Sequence, residues 1–137
     1  MFELRNVSLI RHNKYILQDI TWKVKKDECW ILFGRNASGK TMLLEIISGY
    51  IFPSRGEVIR FGKTHGEYDI RELRKKIGYV STPLRSMFAR NERIIDVVLS
   101  GLFASIGLYM KPKREQVERA MDLLSVVQMK ERSSELI

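Results

Sequence analysis

The eight residues Gly34-Arg35-Asn36-Ala37-Ser38-Gly39-Lys40-Thr41 constrain this chain more than any other stretch. They match the pattern G-x-x-x-x-G-K-[ST]. Each fixed position has a physical role. Glycines let the backbone turn tightly and approach a ligand with no Cβ in the way. Successive amides then point inward and form a nest for an anion. A helix predicted to start at Lys40 adds the positive end of its dipole and its free N–H groups. Lys40 supplies a full positive charge for the outer phosphates of a nucleotide. The Thr41 hydroxyl suits a hard cation such as Mg²⁺, which keeps most of its waters. Four constrained positions recur by chance in roughly one chain in a few hundred of this length. The context lowers that figure further, because an apolar run precedes the loop and a helical pattern follows it.

The flanking pattern predicts the surrounding elements. Leu4–Ile10 partly alternates and predicts a strand, and Tyr15–Val24 predicts a second. Lys26-Asp27 suits the turn that follows. Cys29-Trp30-Ile31-Leu32-Phe33 is a short continuous apolar run, as expected of a strand buried on both faces. Lys40–Ser48 predicts a helix, with Gly49 where a left-handed terminator belongs. Pro53–Gly56 predicts a turn and Glu57–Phe61 a strand. Asp69 with Glu72 has the spacing of a capping box and opens a short helix. Ile77–Ser81 predicts a short strand, and Arg93–Tyr109 a mostly buried helix. Glu115–Met129 is amphipathic through Val117, Ala120, Met121, Leu124 and Val127. Strands, then strand–loop–helix, then helices describe a mixed α/β core with a helical section behind it.

Composition narrows the setting. With 24 basic and 16 acidic residues the chain carries a net charge of +8. That favours an anionic partner: nucleotide, nucleic acid or an anionic membrane surface. The basic residues are spread along the chain, so charge alone does not choose among these. Cys29 is the single cysteine, which excludes an internal disulfide, and its apolar surroundings predict a buried, inert thiol. His12 and His65 lack metal-site spacing. The longest uncharged stretch, Val97–Met110, has 14 residues. A membrane span needs roughly 20.

The chain resembles the N-terminal part of an ABC-type ATPase, the nucleotide-binding subunit of an ABC transporter. The resemblance runs from "ELRNVSL" through "ILQDITWKVKKDECWILFGRNASGKTMLLEIISGYIFPSRGEVIRFG". Pro53–Val58 is similar to the family's Pro-x-x-Gly-Glu-Val turn and strand. Ile77–Ser81 resembles the strand that enters the family's Q-loop, and Asp96–Tyr109 is similar to the molybdate-type branch. The resemblance implies the fold of a P-loop NTPase of ABC type, incomplete, with N-terminal antiparallel strands and the start of a helical subdomain. It also implies one domain part over residues 1–137, divided into a strand-rich core (1–81) and the start of the helical subdomain (82–137).

Several positions depart from the family. Asp27 stands where the family usually has Gly. The family's adenine-stacking aromatic falls on Arg11, which is either a cation–π partner for the base or a surface arginine. Thr82 replaces the Q-loop glutamine that helps to ligand Mg²⁺. Leu99-Ser100-Gly101 begins like the signature Leu-Ser-Gly-Gly-Gln, but it lies in an apolar stretch too close to the phosphate loop. After Lys40 no run of apolar residues ends in Asp-Glu, and His65 comes too early to be the switch histidine. The chain is therefore expected to hold no catalytic residue of its own, to be the first part of an ATPase, and to leave apolar surface uncovered.

The resemblance implies ATP and Mg²⁺ as cofactors. The nucleotide-binding residues expected are Gly34, Arg35, Asn36, Ala37, Ser38, Gly39, Lys40, Thr41 and Met42, with Arg11 at the base and Thr41 and Thr82 at the metal. The implied partners are a second ATPase subunit and a transmembrane permease, which would keep the protein cytoplasmic and peripheral to the membrane. Nucleic acid is not an expected partner. Two alternatives stay open here: a non-catalytic nucleotide-binding fragment, and an ABC-type ATPase acting on nucleic acid.

Overall fold

In the computed structural model, which describes residues 1–64, 66–89 and 91–137, the chain forms two units, Met1–Ile70 and Arg71–Ile137. The first is built on a sheet of order β2-β1-β3, with β1 (Phe2–Arg11) antiparallel to both β2 (Lys14–Val24) and β3 (Arg55–Arg60). The β1–β2 hairpin turns at His12 and Asn13. Both are left-handed, at φ 49° and 58°, as the tight turn that matches strand twist requires.

The central strand breaks simple alternation. Val7, Ser8 and Leu9 are all buried in succession. Register shifts between Leu4 and Val7 and between Val7 and Leu9 allow this, with Asn6 and Asp19 held at positive φ. The buried Ser8 hydroxyl is satisfied across the hairpin: it accepts from the Asp19 amide at 2.9 Å and donates to Asp19 Oδ1 at 3.2 Å. Opposite β1, Gly56 is the second residue of β3, at φ 84°, where a Cβ would fall 2.3 Å from the Asn6 carbonyl oxygen. Arg55 and Gly56, expected in a turn, thus belong to the strand.

α1 (Lys40–Ser48) has the bounds expected of it and terminates at Gly49, φ 81°. It packs Leu43 and Ile46 onto Leu4, Val7, Leu9, Leu17 and Val58 of the sheet. Each such fully buried side chain stabilises the unit by about 1.5–3 kcal/mol.

The apolar run Cys29–Phe33 is not the doubly buried strand that its composition predicts. Among the described residues no strand pairs with it. Its backbone groups lack a ladder and its side chains a layer to enter: Ile31 is 91% and Phe33 96% exposed, and Cys29 is exposed as well. The expected buried thiol is corrected with it.

The second unit is helical. It opens within α2 (Ile70–Arg74) and continues with α3 (Thr82–Ser86), α4 (Ile94–Gly101), α5 (Arg114–Val126) and a 3₁₀ turn at Lys130–Arg132. Two further expectations fail here. Ile77–Ser81 is not a strand, and Val80 is exposed. The helix expected over Arg93–Tyr109 ends at Gly101, because Ala104 and Gly107 take positive φ and the Ser105 hydroxyl bonds the Gly107 carbonyl at 2.9 Å. In α5, Ala120 and Leu124 are buried, whereas Val127 lies past the helix end and is exposed. The segment 133–137 supplies carbonyls to the first turn of α4: the Ile94 amide donates to Glu135 at 2.9 Å and the Ile95 amide to Ser133 at 3.0 Å. Among the described residues no helix is long and apolar enough to cross a membrane. His65 lies outside the described residues.

Candidate functional site

Small residues and a helix start shape the loop between the apolar run and α1. Ala37 and Gly39 are both left-handed, at φ 61° and 86°. The Ser38 amide closes a turn on the Arg35 carbonyl at 3.3 Å, and the Leu43 amide makes the first helical bond to Gly39 at 2.9 Å. Gly39 is demanded twice over. Besides its positive φ, a Cβ there would lie 2.8 Å from Leu17 Cδ2 and 3.0 Å from the Ile16 carbonyl oxygen. The loop therefore rests directly on β2, and the hairpin fixes where α1 begins.

Lys40 ties the loop across its width. Its ammonium donates to the carbonyl oxygens of Gly34 at 2.7 Å and Arg35 at 2.5 Å, and to Ser38 Oγ at 3.3 Å. No acidic residue occupies the first turn of α1, so nothing there opposes an anion at the positive end of the helix. A cleft of about 310 Å³ opens on this end, lined by Ile16 and residues 36–42. That volume is at the low end for small-molecule sites and suits a phosphate chain. Thr41 sits exposed to solvent in the first turn beside Lys40.

The other expected site residues are placed differently. Arg11 is exposed at the end of β1, apart from the residues that line the cleft. Thr82 is the first residue of α3 in the second unit, behind Ser81, whose hydroxyl caps the helix by accepting from the Leu84 amide at 3.1 Å. Ile16 lines the cleft and was not anticipated. In sequence it is one apolar strand residue among several, and only the contact between β2 and Gly39 reveals its position.

The fold agrees with comparisons against known proteins. The family model described as ABC transporter matches residues 17–136. This chain belongs to the ABC transporter family. It is 44% identical over 125 residues to the uncharacterized ABC transporter ATP-binding protein YlmA of Bacillus subtilis (strain 168), an alignment covering 90% of this chain and 47% of YlmA. A more distant relative is the ABC transporter ATP-binding protein ModF of Escherichia coli (strain K12), 30% identical over 90% of this chain and 26% of ModF. Among solved structures, the dimeric ATP-binding cassette MJ0796 in a post-hydrolysis state bound to ADP and Pi superposes with a TM-score of 0.75. That match covers 99% of this chain and 61% of that one at 24% identity, and it establishes the fold. The chain spans about half the length of YlmA.

Proposed function

We propose that the chain binds ATP with Mg²⁺ and forms the N-terminal part of the ATP-binding subunit of an ABC transporter. The observation that carries this is the loop itself: left-handed Ala37 and Gly39, seated on β2, deliver Lys40 and Thr41 to the first turn of α1. Residues 34–42 cradle the phosphates through backbone amides, and Lys40 neutralises the outer ones. Thr41 ligands the metal through its hydroxyl, and Ile16 supports the nucleotide from β2. Mg²⁺ supplies charge neutralisation between the outer phosphates when bound.

The finer assignments belong to the same proposal. Arg11 stacks on the base, and Thr82 reaches a metal-bound water. Residues 1–81 are the strand-rich core and 82–137 the start of the helical subdomain. The whole protein pairs with a second ATPase subunit and docks on a membrane permease from the cytoplasmic side, powering transport by hydrolysis. Family membership and the dimeric form of the MJ0796 cassette support that arrangement. Titration of the chain with ATP, with and without Mg²⁺, tests the core of it: binding that depends on Lys40 and strengthens with Mg²⁺ is expected, and no binding overturns it.

A further inference from the structure

Arg60 is the largest fully buried side chain among the described residues, at 2% exposure. A guanidinium is retained in such a place only when hydrogen bonds replace its water. Its Nε donates to the Ile47 carbonyl at 2.7 Å, its Nη2 to the Ile46 carbonyl, and its Nη1 to Tyr68 Oη at 2.6 Å. Ile46 and Ile47 belong to the last turn of α1, whose first turn carries Lys40 and Thr41.

The last turn of a helix presents carbonyls with no partner inside the helix and a partial negative charge. In α1 the Glu45 carbonyl takes the Tyr50 amide at 2.9 Å, and the Ile46 carbonyl takes the Gly49 amide at 3.1 Å. Arg60 adds a second donor to Ile46 and serves Ile47. It does so from β3, whose Val58 packs in the same core as Leu43 and Ile46. α1 is thus held at both ends: by β2 against Gly39 at its start, and by Arg60 of β3 at its finish.

We propose that Arg60 is a positioning residue for the phosphate loop, acting from about 10 Å away along the axis of α1. This rests on the reading of the loop as a nucleotide site. The guanidinium fixes the axial position and tilt of the helix, and with them the place of Lys40, Thr41 and the loop amides. Its charge complements the negative end of the dipole whose positive end receives the phosphates. Arg60→Met keeps the volume and loses the donors. Arg60→Lys keeps the charge and cannot hold both carbonyls in one plane.

The test measures MgATP affinity by calorimetry and the amide chemical shifts of residues 34–41 in the full chain. Leu4→Ala, in the same core, serves as a control for general destabilisation. Arg60→Met is expected to weaken MgATP binding about two- to thirtyfold and to shift the loop amides. Arg60→Lys is expected to recover part of the loss, and Leu4→Ala to lower the melting temperature while leaving affinity within about twofold. A folded Arg60→Met chain with wild-type affinity overturns the inference, as does an equal loss in Leu4→Ala. If Arg60→Met does not fold, Arg60→Lys carries the test, and wild-type affinity there is the contrary result. If the wild-type chain binds no MgATP, the nucleotide reading fails by itself. The loop amides then decide: a shift in Arg60→Met sustains the clamp, and unchanged amides refute it.

Discussion

The Lys40 ammonium lies 2.7 Å from the carbonyl oxygen of Gly34, so the residue that starts α1 also closes the residue that opens the loop. One side chain thereby sets the loop's span and places a positive charge at the helix N-terminus.

Gly39 is the backbone position with least tolerance. Its φ of 86° strains any residue with a Cβ, and a built Cβ would lie 3.0 Å from the Ile16 carbonyl oxygen of β2. Gly39→Ala is expected to destabilise the first unit by about 1–3 kcal/mol. A thermal melt checks this, and an unchanged melting temperature contradicts the contact between loop and hairpin.

Thr41 stands in the first turn of α1 with its hydroxyl free of any role in the core. Thr41→Ala is expected to leave ATP binding without metal intact and to cut the gain from Mg²⁺ by about tenfold or less. Calorimetry with and without Mg²⁺ reads the difference. An undiminished gain in the variant removes Thr41 as a metal ligand.

Glu28 gives the loop's approach a dependence on pH. Its carboxylate accepts from the Lys25 amide at 2.9 Å and from the Trp30 indole at 3.1 Å. These bonds, the Lys25 amide first, hold its pKa below the ordinary 4.5. A lowered folded pKa means that the contribution is present above the unfolded value and is lost as pH falls through the folded one. Tryptophan emission is therefore expected to change on acidification below 4.5, and Glu28→Gln is expected to remove that step. Persistence of the same step in the variant assigns it elsewhere.

The run Trp30–Phe33 presents apolar side chains to solvent, Ile31 and Phe33 almost completely. Exposed apolar surface drives association. The isolated chain is expected to sediment as oligomers at micromolar concentration, and Ile31→Lys with Phe33→Lys to shift it toward monomer. A monomeric wild-type chain with a sharp, cooperative melt speaks against this.

What was legible in the sequence follows the range of the forces involved. The hairpin, α1 and its terminator Gly49 are written in local patterning, and their bounds agree with expectation to within two residues. The loop imposes small residues and a lysine at fixed spacing, and the family was legible through a resemblance that runs from Glu3 to Gly62. The run Cys29–Phe33 misled because apolarity reports a preference for burial and says nothing of which neighbour supplies it. The 102–109 segment misled because its apolar residues have helical spacing, while positive φ at Ala104 and Gly107 ends the helix early. Ile16 and Arg60 escaped notice because their roles depend on strand register: Ile16 reaches Gly39 through β2, and Arg60 reaches Ile46 and Ile47 through β3. An arginine in a strand reads as a surface residue until its partners are known.

The most direct test of the central claim is the affinity of the chain for MgATP, measured by calorimetry beside Lys40→Ala. A charge-assisted bond to phosphate contributes about 1.5–3 kcal/mol, so the variant is expected to bind about ten- to a hundredfold more weakly while remaining folded. Equal affinity in the two chains, or no binding by the wild type, contradicts the assignment of this loop as a nucleotide site.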